Sequence, residues 1–178
     1  MIAIGIDPGK GGGIATLRDS EAHAIPMPAT ERDLYAQLMA ARKAAEYAGV
    51  PIFAVIEQVG ATPQMGVTSA FSFGEAVGLA RMALVASEIP FEEVSPLRWQ
   101  RAMGALLPKG KPIKEMTQAE RAARQAQKKR LLKEHAQRLF PRARVTLATC
   151  DALLLAEYAR RKFSEFGGAG AQSERGTA

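Results

Sequence analysis

At 178 residues, with 47% apolar and 24% charged side chains, the chain has the size and composition of one globular domain with a sizeable core. Its apolar runs are far shorter than a membrane span, no basic N-terminal region leads into a signal-like stretch, and the lone Cys150 excludes an intrachain disulfide; a cytoplasmic protein is expected. The net charge of +6 is concentrated: residues 109–144 hold twelve Lys or Arg against three Glu, a local +9 that leaves −3 for the rest, as a phosphate-binding footprint or a solvated helix face would require.

The chain opens as strand, Gly-rich turn, strand. Ile2-Ala3-Ile4-Gly5-Ile6 runs into Asp7, and Pro8-Gly9-Lys10-Gly11-Gly12-Gly13 turns it toward a second strand over 12–17. A shorter stretch at 22–25 completes an antiparallel meander. Thr30-Glu31-Arg32-Asp33 reads as a capping box with Asp in place of Glu or Gln. The helix it starts carries Leu34, Leu38, Ala41 and Ala45 on one face, and Gly49-Val50-Pro51 stops it. Residues 51–57 form a fourth strand ending at Glu57; after a helical crossover it should lie parallel to the first.

A second helix over 67–88 stacks Ala70, Gly74 and Gly78 at i, i+4, i+8. Each glycine costs a helix about 1 kcal/mol relative to alanine, so the row implies a close neighbour on that face. The chain's own sheet is the simpler candidate, a second subunit the other. A fifth strand spans 91–94, and Pro96 opens a short helix. Residues 104–115 are loop-like, with Pro108, Gly110 and Pro112 among lysines. Thr117-Gln118-Ala119-Glu120 caps a long basic helix to about Phe140, and a last helix covers 149–163. The Gly-, Ala- and Ser-rich residues 164–178 are expected to be a disordered tail, which leaves 1–163 as the domain. The order describes an α/β fold, a mixed five-stranded sheet flanked by helices.

Three carboxylates stand at the ends of apolar elements: Asp7, Glu57, and Asp151, which opens the helical run Ala152-Leu153-Leu154-Leu155-Ala156. Each alone has a structural explanation, as a turn former or a helix-start residue. Adjacent parallel first and fourth strands would set Asp7 beside Glu57, and Asp151 joins them if its helix begins over that edge. Carboxylates so close repel, and a hard divalent cation is the natural means of neutralising them. Two such ions about 3.5–4 Å apart are suited to in-line phosphodiester cleavage.

Ile4-Gly5-Ile6-Asp7-Pro8-Gly9, Val55-Ile56-Glu57-Gln58-Val59 and Cys150-Asp151-Ala152-Leu153 resemble, in order and spacing, the three acidic motifs of the RuvC family of Holliday junction resolvases. Residues 69–78 resemble the helix that follows the second motif, and residues 94–100 have the look of the phage-type branch, the nearest match. The resemblance covers about residues 1–162. It implies an RNase H-like fold and a homodimer that nicks opposed strands of four-way DNA junctions with Mg2+ (Mn2+ as substitute), two ions per site. It carries Asp7, Glu57 and Asp151 over as metal ligands, and Lys129, with Lys128 second, as the basic residue near the scissile phosphate. Ala70, Gly74 and Gly78 become the dimer contact. From the basic segment, Lys109, Lys111, Lys114, Arg124, Lys128 and Lys129 are the expected DNA-binding set.

Two departures stand out. The family's usual fourth acid, a turn before the last Asp, has no counterpart: Leu147 and Ala148 occupy its place, Thr146 and Thr149 offer only neutral oxygens, and Glu157 should face away. The slot for a base-stacking aromatic after the second motif is Gly60, and Phe71 and Phe73 lie too far along the chain to be assumed replacements. A junction-binding protein with weak or lost cleavage is therefore the alternative reading. An ATP-using enzyme of the actin and sugar-kinase type, which shares Asp-x-Gly after a strand, is disfavoured by the short chain and the lack of a second Gly-rich phosphate loop.

Overall fold

The computed structural model describes residues 1–58, 60 and 66–170, with side chains through 164. Strands β1 (Ile2–Asp7), β2 (Gly13–Arg18) and β3 (Glu21–Pro26) form the expected meander. Helix α1 (Glu31–Ala48) crosses over to β4 (Ile52–Glu57), and α2 (Val67–Ala86) to β5 (Phe91–Val94). The sheet order is β3-β2-β1-β4-β5, antiparallel across the meander and parallel from β1 to β5. After β5 come α3 (Pro96–Ala102), a single 3-10 turn (Ile113–Glu115), α4 (Gln118–Leu139) and α5 (Cys150–Gly170). Helix α5 passes the end expected at Phe163, and residues 171–178 of the expected tail lie outside the described residues.

Alternation along the strands divides the core. Ile2, Ile4, Ile6, Ile14, Ile52, Ala54 and Ile56 face α1 and α2, where Leu34, Leu38, Ala41 and Ala45 form the buried stripe expected of α1. On the other face small residues, Ala3, Gly5 and Ala15, meet the apolar start of α5. A Cβ on Gly5 would stand 2.1 Å from the Ala152 carbonyl oxygen and 2.2 Å from the Ala156 nitrogen, so the backbone of α5 rests directly on β1. This approach, possible only to glycine, brings the first turn of α5 to the end of the central strand.

Local signals act as the residue types dictate. Thr30 caps α1 by accepting from the Asp33 N–H at 3.1 Å, while its hydroxyl donates to the Asp33 carboxylate at 2.7 Å, so the reciprocal half of the box is absent. At α4 the box is complete: the Thr117 N–H donates to Glu120 at 2.6 Å and the Glu120 N–H to Thr117 at 3.2 Å.

Helix α2 corrects two expectations. At 20 residues with a mean hydropathy of 1.2 it is long and apolar enough, by length and composition alone, to cross a membrane, although only 22% of that window is buried. Its inner face, Val77, Ala80, Ala83 and Leu84, packs within the domain, and Arg81 pairs with Glu93 of β5 at 2.5 Å. Gly74 and Gly78 are exposed, with nothing among the described residues within 4 Å of where a Cβ would stand, so they do not pack on the chain's own sheet. Ala70 is half-buried. The outward side also exposes Val67, Phe71, Met82 and Val85, with Phe71 74% accessible. A helix apolar on both faces gives periodicity no means of choosing the inner one.

Candidate functional site

Parallel pairing in register from Ile2↔Ile52 to Ile6↔Ile56 brings the next residues, Asp7 and Glu57, to the same end of adjacent strands. Gly12 lets the turn after β1 close against the first of them: a Cβ there would lie 2.0 Å from the Asp7 carbonyl oxygen and 2.9 Å from Asp7 Cγ. Asp151 arrives from the first turn of α5. The three carboxylates line one cavity of about 280 Å³ with Lys128, Lys129, Phe73, Gln100 and Gln125 among the other walls.

Lys129 reaches across from α4. Its Nζ donates to Asp151 Oδ2 at 2.6 Å and stands 3.7 Å from Asp7 Oδ2. Burial alone would lower this ammonium, but attraction to Asp151, the hydrogen bond to it, and attraction to Asp7 outweigh that and raise its pKa. Lys128 lines the cavity without such a bond among the described residues. Glu57 is tied differently: the indole Nε1–H of the fully buried Trp99, on α3, donates to Glu57 Oε1 at 2.7 Å.

The electrostatics show unbalanced negative charge. Asp7 is pushed up to about 7 by burial first, then by repulsion from Asp151 and Glu57, against the opposing pull of Lys129. Glu57 is raised by burial, an effect the Trp99 bond partly reverses. Cys150, buried beside Asp151 and donating to its Oδ1 at 3.2 Å, is raised to about 12, chiefly by burial and then by the carboxylate's charge. It behaves as an inert core thiol.

The donor set suits a hard divalent cation: three oxygen ligands, mutual repulsion, and an ammonium already drawn between two of them. In this structure Lys129 supplies positive charge between Asp7 and Asp151. Among the described residues no three His, Cys, Asp or Glu side chains are arranged to hold a metal together as they stand.

The remaining expected site residues fall into two groups. Lys109 and Lys111 are exposed on the loop before α4, and Lys114 on the 3-10 turn that ends it. Arg124, half-buried on the first turns of α4, donates to the Pro108 carbonyl at 2.8 Å and so holds that loop as well as contributing charge. Lys111 pairs with Glu120 at 3.5 Å. Lys111, Glu120, Arg124 and Arg130 border a second cavity of about 510 Å³, which Lys109 and Lys114 do not line. Of the residues expected at a dimer contact, Gly74 and Gly78 are exposed on α2 and Ala70 is half-buried.

At the missing fourth acid, Thr146 and Thr149 are occupied with each other: each hydroxyl accepts the other's backbone N–H, at 3.0 and 3.2 Å, and the two hydroxyls lie 3.0 Å apart. Leu147 points to solvent, and Glu157 is buried against Arg160 and Arg161, away from the cavity as helix geometry requires. Phe73, too distant along the chain to be assumed a site residue, lines the cavity because α2 starts over the strand ends and sets the ring 3.5 Å from where a Gly9 Cβ would lie. Sequence reasoning gave Trp99 and Gln100 no role. The available signal was that the only tryptophan follows β5 by five residues, on a helix that starts at the same sheet edge.

Comparison with solved structures gives the same fold. RuvC of Thermus thermophilus in complex with Holliday junction substrate superposes with a TM-score of 0.56 at 14% identity, over 94% of this chain and 96% of that one. A second Thermus thermophilus RuvC structure gives 0.53 at 14% identity, over 94% and 97%. The chain has the RuvC-like, RNase H-like fold. No protein-family model and no curated protein sequence matches it.

Proposed function

We propose that the chain is a metal-dependent endonuclease that nicks four-way and other branched DNA as a homodimer, nearest the phage-type branch of RuvC-like enzymes and working in the cytoplasm. The observation that carries this reading is the convergence of Asp7, Glu57 and Asp151 in one cavity with Lys128 and Lys129. Asp7, Glu57 and Asp151 would hold the Mg2+ ions, or Mn2+ in their place. Bound there, the metal supplies activation of a water and stabilisation of the leaving 3′ oxygen.

The chain's own residues do the rest. Lys129 neutralises Asp7 and Asp151 while no other cation does, which keeps the carboxylates gathered. With that charge supplied otherwise, its ammonium is released toward a phosphate oxygen at the cavity mouth. Lys109, Lys111, Lys114, Arg124 and Lys128 give the strand path a positive wall whose grip weakens with salt. The apolar outward face of α2, with Gly74 and Gly78 permitting close approach, is the subunit contact that would oppose two such sites across one junction. The neighbouring RuvC complexed with a Holliday junction substrate supports the choice of nucleic acid.

Cleavage of a synthetic four-way junction in Mg2+ tests this reading. Paired nicks by the wild type, lost in Asp7→Asn and Glu57→Gln, are expected. No nicking, or nicking unaffected by those substitutions, rejects it. The second reading, a junction-binding protein with feeble cleavage, is favoured by the absent fourth acid and the mutual engagement of Thr146 and Thr149. Salt-sensitive junction binding with no cutting in either Mg2+ or Mn2+ would select it.

A further inference from the structure

We propose that Trp99 is a positioning residue for Glu57, its indole N–H holding one carboxylate oxygen so that the other is presented to the cation shared with Asp7 and Asp151. The inference rests on the metal-site reading above and deepens it.

The argument begins with the cost of the carboxylate. Glu57 ends a buried strand, and its side chain must leave water to face the cavity. Something has to offset that loss without cancelling the negative charge that would attract a cation. An arginine or lysine would satisfy the oxygen but neutralise the site, as Lys129 does at the two aspartates. An indole offers one N–H donor, no acceptor and no charge. The bond is short, 2.7 Å, and its donor ring is fully buried, so the geometry is fixed by packing rather than by solvent.

The carboxylate torsion of a glutamate is otherwise soft. With Oε1 committed to the indole, the group is locked in one rotation, and among the described residues no side-chain hydrogen bond reaches Oε2. Helix α3 serves this end as a unit: Pro96 and Gln100 line the cavity while Trp99, between them in sequence, reaches Glu57. Partners of this kind behind a ligand are worth about 10–100-fold in metal affinity.

The chain's single tryptophan makes the test direct, because one indole N–H gives one 1H–15N resonance. Titrating the wild-type protein with Mg2+ is expected to move that resonance saturably. Calorimetric titration with Mn2+ is expected to show W99F binding about 10–100-fold more weakly than wild type, with part of the loss recovered in W99H, which keeps a ring N–H. An indole resonance that stays fixed while Mn2+ binds, or W99F binding Mn2+ as tightly as wild type, overturns the inference and leaves the metal site standing. Failure of the wild type to bind Mn2+ overturns both. If W99F does not fold, E57L decides, since it leaves the ring in place and removes the acceptor: a metal-free indole resonance identical in wild type and E57L refutes the hydrogen bond.

Discussion

Removing the charge of Asp7 should change how stability depends on pH. In the folded, metal-free protein the group titrates near 7 instead of 3.8, raised by burial and by Asp151 and Glu57. A pKa raised by folding means that the native state binds the extra proton. The associated stability is complete below pH 3.8, declines as pH rises, and is gone above about 7. Three pH units at about 1.4 kcal/mol each give a decline of about 4 kcal/mol from this carboxylate. For a domain of this size, at roughly 2–4 °C per kcal/mol, that is on the order of 10 °C in Tm. Asp7→Asn cannot titrate, so it should melt near the wild type at pH 4 and well above it at pH 8. Thermal melts in EDTA by circular dichroism across that range measure the divergence. Added Mg2+ should close the gap by raising the wild type, because only the ionised Asp7 attracts the ion. Parallel curves for the two proteins in EDTA would refute the account of three crowded carboxylates.

Lys129→Met should lower single-turnover junction cleavage by about 100- to 1,000-fold, the usual cost of losing one preorganised stabilising group, and should enlarge the Mg2+-induced rise in Tm at pH 8. Gly5→Ala should destabilise the fold by about 3 kcal/mol or more, measured by urea denaturation, because its Cβ meets the α5 backbone and the helix has nowhere to withdraw. Phe71→Glu combined with Met82→Glu should convert a dimer into a monomer in light scattering and abolish paired nicking while leaving Mg2+ binding intact.

The meeting of Asp7 and Glu57 was legible in the sequence. Each ends an apolar strand, and a β-α-β crossover leaves little choice but a parallel neighbour in matching register. The stripe Leu34, Leu38, Ala41, Ala45 was equally readable, since polar residues surround it. For Asp151 the sequence left convergence conditional on where its helix begins; the close packing of α5 on the small residues of β1 and β2 that brings it there is seen only in the structure. Other features lay beyond pattern reading. Outward and inward faces of α2 are both apolar, so only tertiary packing distinguishes them, and packing reversed the simpler expectation for Gly74 and Gly78. Phe73 and Trp99 reach the site because of where their helices start in space, which spacing along the chain does not encode. The choice between Lys128 and Lys129 turns on about 100° of helix rotation, and the structure gives the ion pairs to Lys129.

The unequal filling of the sheet's two sides has a consequence for how this protein tolerates change. Opposite the carboxylate helix, isoleucines interlock with leucine and alanine across a layer thick enough to absorb exchange of one branched side chain for another. Beneath that helix, contact is backbone on backbone, and a single added methyl group has no slack to enter. Random substitution should therefore be forgiven on one side and punished on the other, and a scan of β1 ought to alternate between the two outcomes at every second position.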